Sequence, residues 1–130
     1  MDYLDKVFIW LGETDKSQQQ LEDYFRLDYS VEGNFDDPTY KICGFCKDIG
    51  EKWYNEDFVG YLKFKNSLSI QEILKHIPVA LHESKKIMSI CREMGIVKVN
   101  CSYWYSGEIK IPSRHKSYNG INFIGEFDLD

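Results

Sequence analysis

The sequence predicts an α+β domain: a mixed, largely antiparallel sheet of four to five strands packed against about three helices in a single-domain sandwich. Three observations carry this. Short apolar runs with strand-like alternation are spread along the chain, two capping boxes open stretches with helical spacing, and polar turn formers separate them. No linker, low-complexity tract or repeat of fixed period interrupts the 130 residues, so 1–130 reads as one domain, long enough to bury well over half of what its unfolded chain exposes.

The first run, Lys6 to Leu11, sets Val7, Ile9 and Leu11 on one side and Phe8 and Trp10 on the other, as expected of a strand covered on both faces. Gly12 ends it. Ser17 followed by Gln20 makes a capping box, and Leu21, Tyr24 and Phe25 then fall on one helical face, predicting a helix from about Ser17 to Leu27. Asp28 to Thr39 is dominated by charges and turn formers and reads as a surface loop. A short second helix over Tyr40 to Ile49 closes at Gly50, with Gly44 weakening its interior. Phe58 to Lys65 alternates as a second strand.

Ser69 with Glu72 opens the next helix, whose stripe of Ile70, Ile73, Leu74 and Ile77 is interrupted by Pro78. Leu81, Ile87, Met88, Cys91 and Met94 then line one face of a longer helix ending at Gly95, where a left-handed cap belongs. Ile96 to Tyr105 alternates as a third strand. Ile121 to Leu129 reads as a half-exposed terminal strand with Ile121, Phe123, Gly125 and Phe127 on one face. The polar Ser106 to Gly120 between them reads as a long hairpin loop, with Glu108 to Ile111 the place for a short extra strand.

Charge narrows the function classes. Net charge is −5, but residues 1–57 hold 14 acids against 6 bases, and residues 58–130 hold 7 against 10. The balances are −8 and +3. An acidic amino-terminal half repels phosphate backbones, which argues against direct nucleic-acid binding and for a basic protein partner. No run approaches the roughly 18 apolar residues of a membrane helix. Met1 to Asp5 carries two acids where a secretory signal carries positive charge, and four cysteines without such a signal fit reduced thiols, so a cytoplasmic location is expected.

Candidates for chemistry are weak. Cys43 and Cys46 have the spacing of a dithiol or half a zinc site, but an acidic loop rather than a strand precedes them, and Cys91 and Cys101 lack the spacing of a second ligand pair. Two small apolar core residues are the plainer reading. His76 and His82 are six apart, which is not the helical metal spacing, and His115 stands alone. Asp36 with Asp37, Glu56 with Asp57 and Glu22 with Asp23 are adjacent acids that stay solvated together rather than splitting into acid and base. There is no phosphate loop and no nucleophile elbow. No catalytic residue, metal or cofactor is therefore expected. Trp53 to Phe58 differs in kind, setting large aromatics beside Glu56 and Asp57, either as an anchor with a charged rim or as core residues beside a solubilising turn.

Several pieces together resemble the immunity 22 family of bacterial proteins: Val7-Phe8-Ile9-Trp10-Leu11-Gly12, Lys47-Asp48-Ile49-Gly50 leading into Trp53-Tyr54-Asn55-Glu56-Asp57-Phe58, Glu93-Met94-Gly95-Ile96, and Phe123-Ile124-Gly125-Glu126-Phe127. They span about residue 6 to residue 128. Asn55 departs from the pattern, standing where the family carries an acid. The resemblance implies no catalysis but a cognate toxin of a polymorphic or contact-dependent system, often a nuclease with a basic cleft. On that reading Asp36, Asp37, Glu56 and Asp57 meet the toxin, with Tyr29, Phe35 or Tyr54 as apolar anchors. A thiol- or zinc-dependent enzyme using Cys43 and Cys46, and a general protein-binding adaptor, are the alternatives that the residues leave open.

Overall fold

The computed structural model describes residues 5–30 and 36–130. Five strands, β1 (Lys6–Gly12), β2 (Val59–Ser69), β3 (Lys98–Tyr105), β4 (Ser117–Tyr118) and β5 (Ile121–Asp128), form one antiparallel sheet in the order β2-β3-β1-β5-β4. Four α-helices accompany it among the described residues: α1 (Gln18–Phe25), α2 (Gly44–Ile49), α3 (Ile70–Leu74) and α4 (Ser84–Glu93). The α+β class is as the sequence predicts.

The sheet is covered on both faces because β1 is apolar on both parities. Phe8 and Trp10 face a core built with Leu21 and Phe25 of α1, Phe45 and Cys46 of α2, and Tyr103 and Tyr105 of β3. Val7, Ile9 and Leu11 face a second core with Ile70, Ile73 and Leu74 of α3 and Ile87 and Cys91 of α4. Each cluster sits on its own side, as the period-2 alternation of a central strand requires.

Local signals fix the helix ends. Ser17 Oγ accepts the Gln20 N–H at 3.1 Å while Gln20 Oε1 accepts the Ser17 N–H at 2.7 Å, so both halves of the box form. Ser69 caps α3 through the Glu72 N–H. Gly50 and Gly95 close α2 and α4 at φ 77°, the left-handed conformation that only glycine adopts at little cost. Pro78 separates α3 from a short 3-10 turn, Leu81–Glu83, that leads into α4.

Two expectations near the carboxyl terminus are corrected. The extra strand is Ser117–Tyr118, pairing with Asn122 and Ile121 around a tight turn, and not Glu108 to Ile111. Asn119 and Gly120, both at positive φ, supply the turn geometry. β5 is not a half-exposed terminal strand: it lies between β1 and β4, and a bulge breaks its alternation. Ile9 pairs with Gly125 but Trp10 with Phe123, which leaves Ile124 as the extra residue. Ile121 and Phe123 therefore face the first core, while Ile124 and Phe127 face the second. Arg114 Nε donates to the Ile124 carbonyl at 2.8 Å, tying the long loop to the bulge.

A polar latch joins the two ends of the sheet to the turn before α4. Asp128 accepts from the Lys6 ammonium and lies 2.8 Å from His82 Nε2, and its own N–H donates to Glu83 at 2.8 Å. The hydrogen bond from Lys6, followed by that from His82, holds the Asp128 carboxyl below its ordinary value of 3.8, and the same contact raises Lys6 above 10.5. A depressed carboxyl contributes stability that is present above its unfolded value and is lost as pH falls through its folded one. The raised lysine contributes stability below its unfolded value that is lost as pH rises through its folded one. Asp128→Asn should accordingly lower the urea midpoint modestly at neutral pH, and the difference from the parent protein should shrink as pH falls below the ordinary carboxylate range and through the lowered folded pKa of Asp128. Urea titrations across that range check this, and a constant difference at all pH values would contradict it.

Candidate functional site

The amino-terminal loops converge on one side of the molecule. The Lys41 N–H donates to Asp28 at 2.9 Å, the Tyr40 hydroxyl donates to the Lys52 carbonyl at 2.6 Å, and the Lys52 ammonium reaches Asp36 at 3.1 Å. The turn at residues 36–40 is thus held against the segment that enters β2. Behind it, Tyr54 runs inward and donates its hydroxyl to the Phe25 carbonyl at the end of α1.

Within this surface the acids differ. Asp36 is 89% exposed at its side chain although Lys52 pairs with it. Asp37 turns back on its own loop, accepting from the Thr39 hydroxyl at 2.7 Å and the Thr39 N–H at 2.8 Å, contacts that hold its carboxyl below the usual range. Glu56 and Asp57 form the first turn of a short 3-10 helix, Glu56–Phe58, capped by Asn55, whose side chain accepts the Asp57 N–H at 3.0 Å. Both are exposed, and neither has an ion-pair partner among the described residues. Asn55 thus serves as a cap, which an acid could also do.

The aromatic residues are sorted differently from the expectation. Tyr54 is 2% exposed and packs edge-on to Phe45 and Tyr105, so it belongs to the core and offers no anchor while the domain is folded. Its neighbour Trp53, which the plainer reading placed in the core, is 43% exposed. Tyr29 is 61% exposed. Phe35 lies outside the described residues.

Beside Glu56, a shallow groove of about 410 Å³ opens between α1 and the start of β2, with Glu22, Arg26 and Glu56 around it. Phe25 and Tyr61 stack at its base, ring centroids 4.4 Å apart and nearly parallel. From sequence Glu22 counts only as half of an adjacent acid pair with Asp23, and Tyr61 carries no mark of its own. The available signal was position: Glu22 follows the buried Leu21 on α1, and Tyr61 opposes Tyr103 on β3, so both border the aromatic layer.

Other arrangements that could hold a ligand are of lesser reach. His82, Glu83 and Asp128 place three ligand atoms within 4.8 Å, but the Lys6 ammonium and the Asp128 N–H already engage those carboxylates. A four-cysteine zinc site is not formed, because Cys91 packs in the core on the far face from Cys43, Cys46 and Cys101. On that far side an apolar groove of about 650 Å³ runs between α3 and α4, lined by Leu74, Ile77, Val79 and Met88, with Leu81 87% exposed at its edge and Lys75 and Lys85 beside it. No helix among the described residues is long and apolar enough to cross a membrane.

An α+β scaffold whose surface offers open grooves and charged rims is suited to docking a macromolecule. The chain belongs to the family described as immunity protein 22, whose model matches residues 7–130. Membership gives a role in general terms, binding a partner toxin and neutralising it. Comparison with curated proteins and with solved structures finds no match.

Proposed function

We propose that this immunity protein neutralises a basic toxin, a nuclease being the case its charge fits best, by laying the acidic rim at Glu56, Asp57 and Asp36 over a positively charged surface. The observation that carries this is the 3-10 turn at Glu56–Phe58, which presents two adjacent exposed carboxylates beside the exposed Trp53. Asp37 contributes less than expected because its Oδ1 is engaged twice by Thr39. Tyr29 and Trp53 are the apolar anchors, with Trp53 replacing Tyr54. An exposed indole flanked by acids is the composition of an aromatic anchor with a charged rim.

Mixing the chain with the protein encoded by the adjacent gene tests this, by following association at several salt concentrations. Glu56→Lys with Asp57→Lys should slow association by about tenfold or more at low salt and flatten its salt dependence, since steering falls with ionic strength. An unchanged rate and salt slope would overturn the placement. Leu81→Asp serves as the opposite arm: if it abolishes binding while the charge reversal does not, the toxin docks on the far groove.

A further inference from the structure

We propose that Cys43 and Cys46 form a dithiol site that takes a low-molecular-weight disulfide, such as glutathione disulfide, and is converted by it to an internal Cys43–Cys46 disulfide. The sequence placed Cys43 inside a helix, but the structure makes it the cap of α2: its backbone is extended and its sulfur accepts the Cys46 N–H at 3.3 Å. Cys46 is then the third residue of that helix, on the same face. Residues three apart in a helical turn bring their Cβ atoms to about 5–6 Å, and closing the remaining distance to the span of a disulfide needs a shift of about 1–2 Å.

The two sulfurs are unequal. Cys46 is wholly enclosed, whereas Cys43 keeps 7% of its surface and lines an open groove of about 660 Å³ with Asp28, Tyr29 and Lys41. Hydrogen bonds from the Cys46 thiol and from the Cys46 and Phe45 N–H groups bring the Cys43 thiol down to about 7, while the same pairing and burial push Cys46 up. Burial raises Cys91 to about 11, and raises Cys101 to about 12 against the lowering pull of the Lys63 and Lys16 ammoniums. Cys43 is therefore the attacking thiolate and Cys46 the resolving thiol.

In the first step the Cys43 thiolate attacks one sulfur of the small disulfide. A mixed disulfide forms, the original S–S bond breaks, and one thiolate leaves and takes up a proton. In the second step Cys46 loses its proton, attacks the Cys43 sulfur and expels the second thiolate. The pair is oxidised by two electrons, and the small disulfide is reduced to two thiols.

Two measurements on the full reduced chain test the site. After incubation with glutathione disulfide, blocking with N-ethylmaleimide under denaturant and peptide mass analysis should recover Cys43 joined to Cys46, with Cys91 and Cys101 alkylated. Cys46→Ser should stop at the Cys43 mixed disulfide. Because that variant removes a buried side chain and could unfold, the unmodified chain supplies the second readout: iodoacetamide should label Cys43 at least about tenfold faster than Cys91 or Cys101, with a rate midpoint near pH 7. Recovery of all four cysteines as maleimide adducts, equal labelling rates, or joint oxidation of all four would each overturn the proposal.

Discussion

Replacing Trp10 by alanine should lower stability by about 3–5 kcal/mol, a large part of what holds a domain of this size together. Trp10 sits at the middle of the central strand and is completely enclosed. Its ring meets Phe45 of α2 edge-on at 5.5 Å, Tyr118 of β4 at 5.8 Å and Phe123 of β5 at 5.3 Å. One side chain thus joins α2 to the β4–β5 hairpin, which are far apart in sequence, and neither can close over the vacancy without leaving its own place on the sheet. A fall in melting temperature of about 10–20 °C is expected by calorimetry. The indole N–H has no hydrogen-bond partner among the described residues, which is a cost for a buried donor. Trp10→Phe keeps most of the ring contacts and removes that donor, so it should lose well under half as much. Equal losses in the two variants would mean that the ring contacts do not carry the stability.

Most of the scaffold was legible because its signals are local. The apolar runs of β1 and β3, the full box at Ser17, the Ser69 cap with only the serine half of its box, and the glycine caps at Gly50 and Gly95 each act within a few residues. β5 shows where local reading stops. Its sequence alternates well enough to suggest one buried face, but the bulge at Ile124 exists only because β1 and β5 must keep register on both sides of it, and a single extra residue reverses every side chain beyond. Cys43 is a similar case. The Asp28 carboxylate draws the Lys41 N–H out of the helix, so α2 begins at Gly44 and the sulfur becomes a cap.

The candidate surface was less legible than the fold, for a related reason. Trp53 and Tyr54 are adjacent aromatics in a non-repeating segment, where no period says which points inward. The choice falls to Tyr54 because its hydroxyl finds the free carbonyl of Phe25 at the end of α1, a partner 29 residues away. Trp53 then has to face outward. The acids were visible as a charge excess, but how far each is engaged depends on partners that no period marks: Lys52 for Asp36, the Thr39 turn for Asp37, and no ion-pair partner among the described residues for Glu56 and Asp57.

Gly60→Val should be destabilising by about 1–3 kcal/mol, and the sign should reverse when Trp104 is absent. Gly60 on the edge strand β2 stands directly opposite Trp104 on β3, and the indole lies across the space where a side chain would start. A Cβ at Gly60 would come within 2.1 Å of the ring, far inside contact distance, so the indole must swing away or the two strands must part. In a Trp104→Ala background that obstacle is gone. Valine there replaces a residue that is unfavourable inside a strand by roughly 0.5–1 kcal/mol, and it should then stabilise. The four proteins of this cycle, compared by urea unfolding, should give a coupling energy of about 1.5–4 kcal/mol, the loss with Trp104 present plus the gain without it, since the two sites touch. An additive cycle would show that the strand accommodates a side chain at Gly60 by some route that does not involve Trp104, and that the glycine is not there to seat the indole.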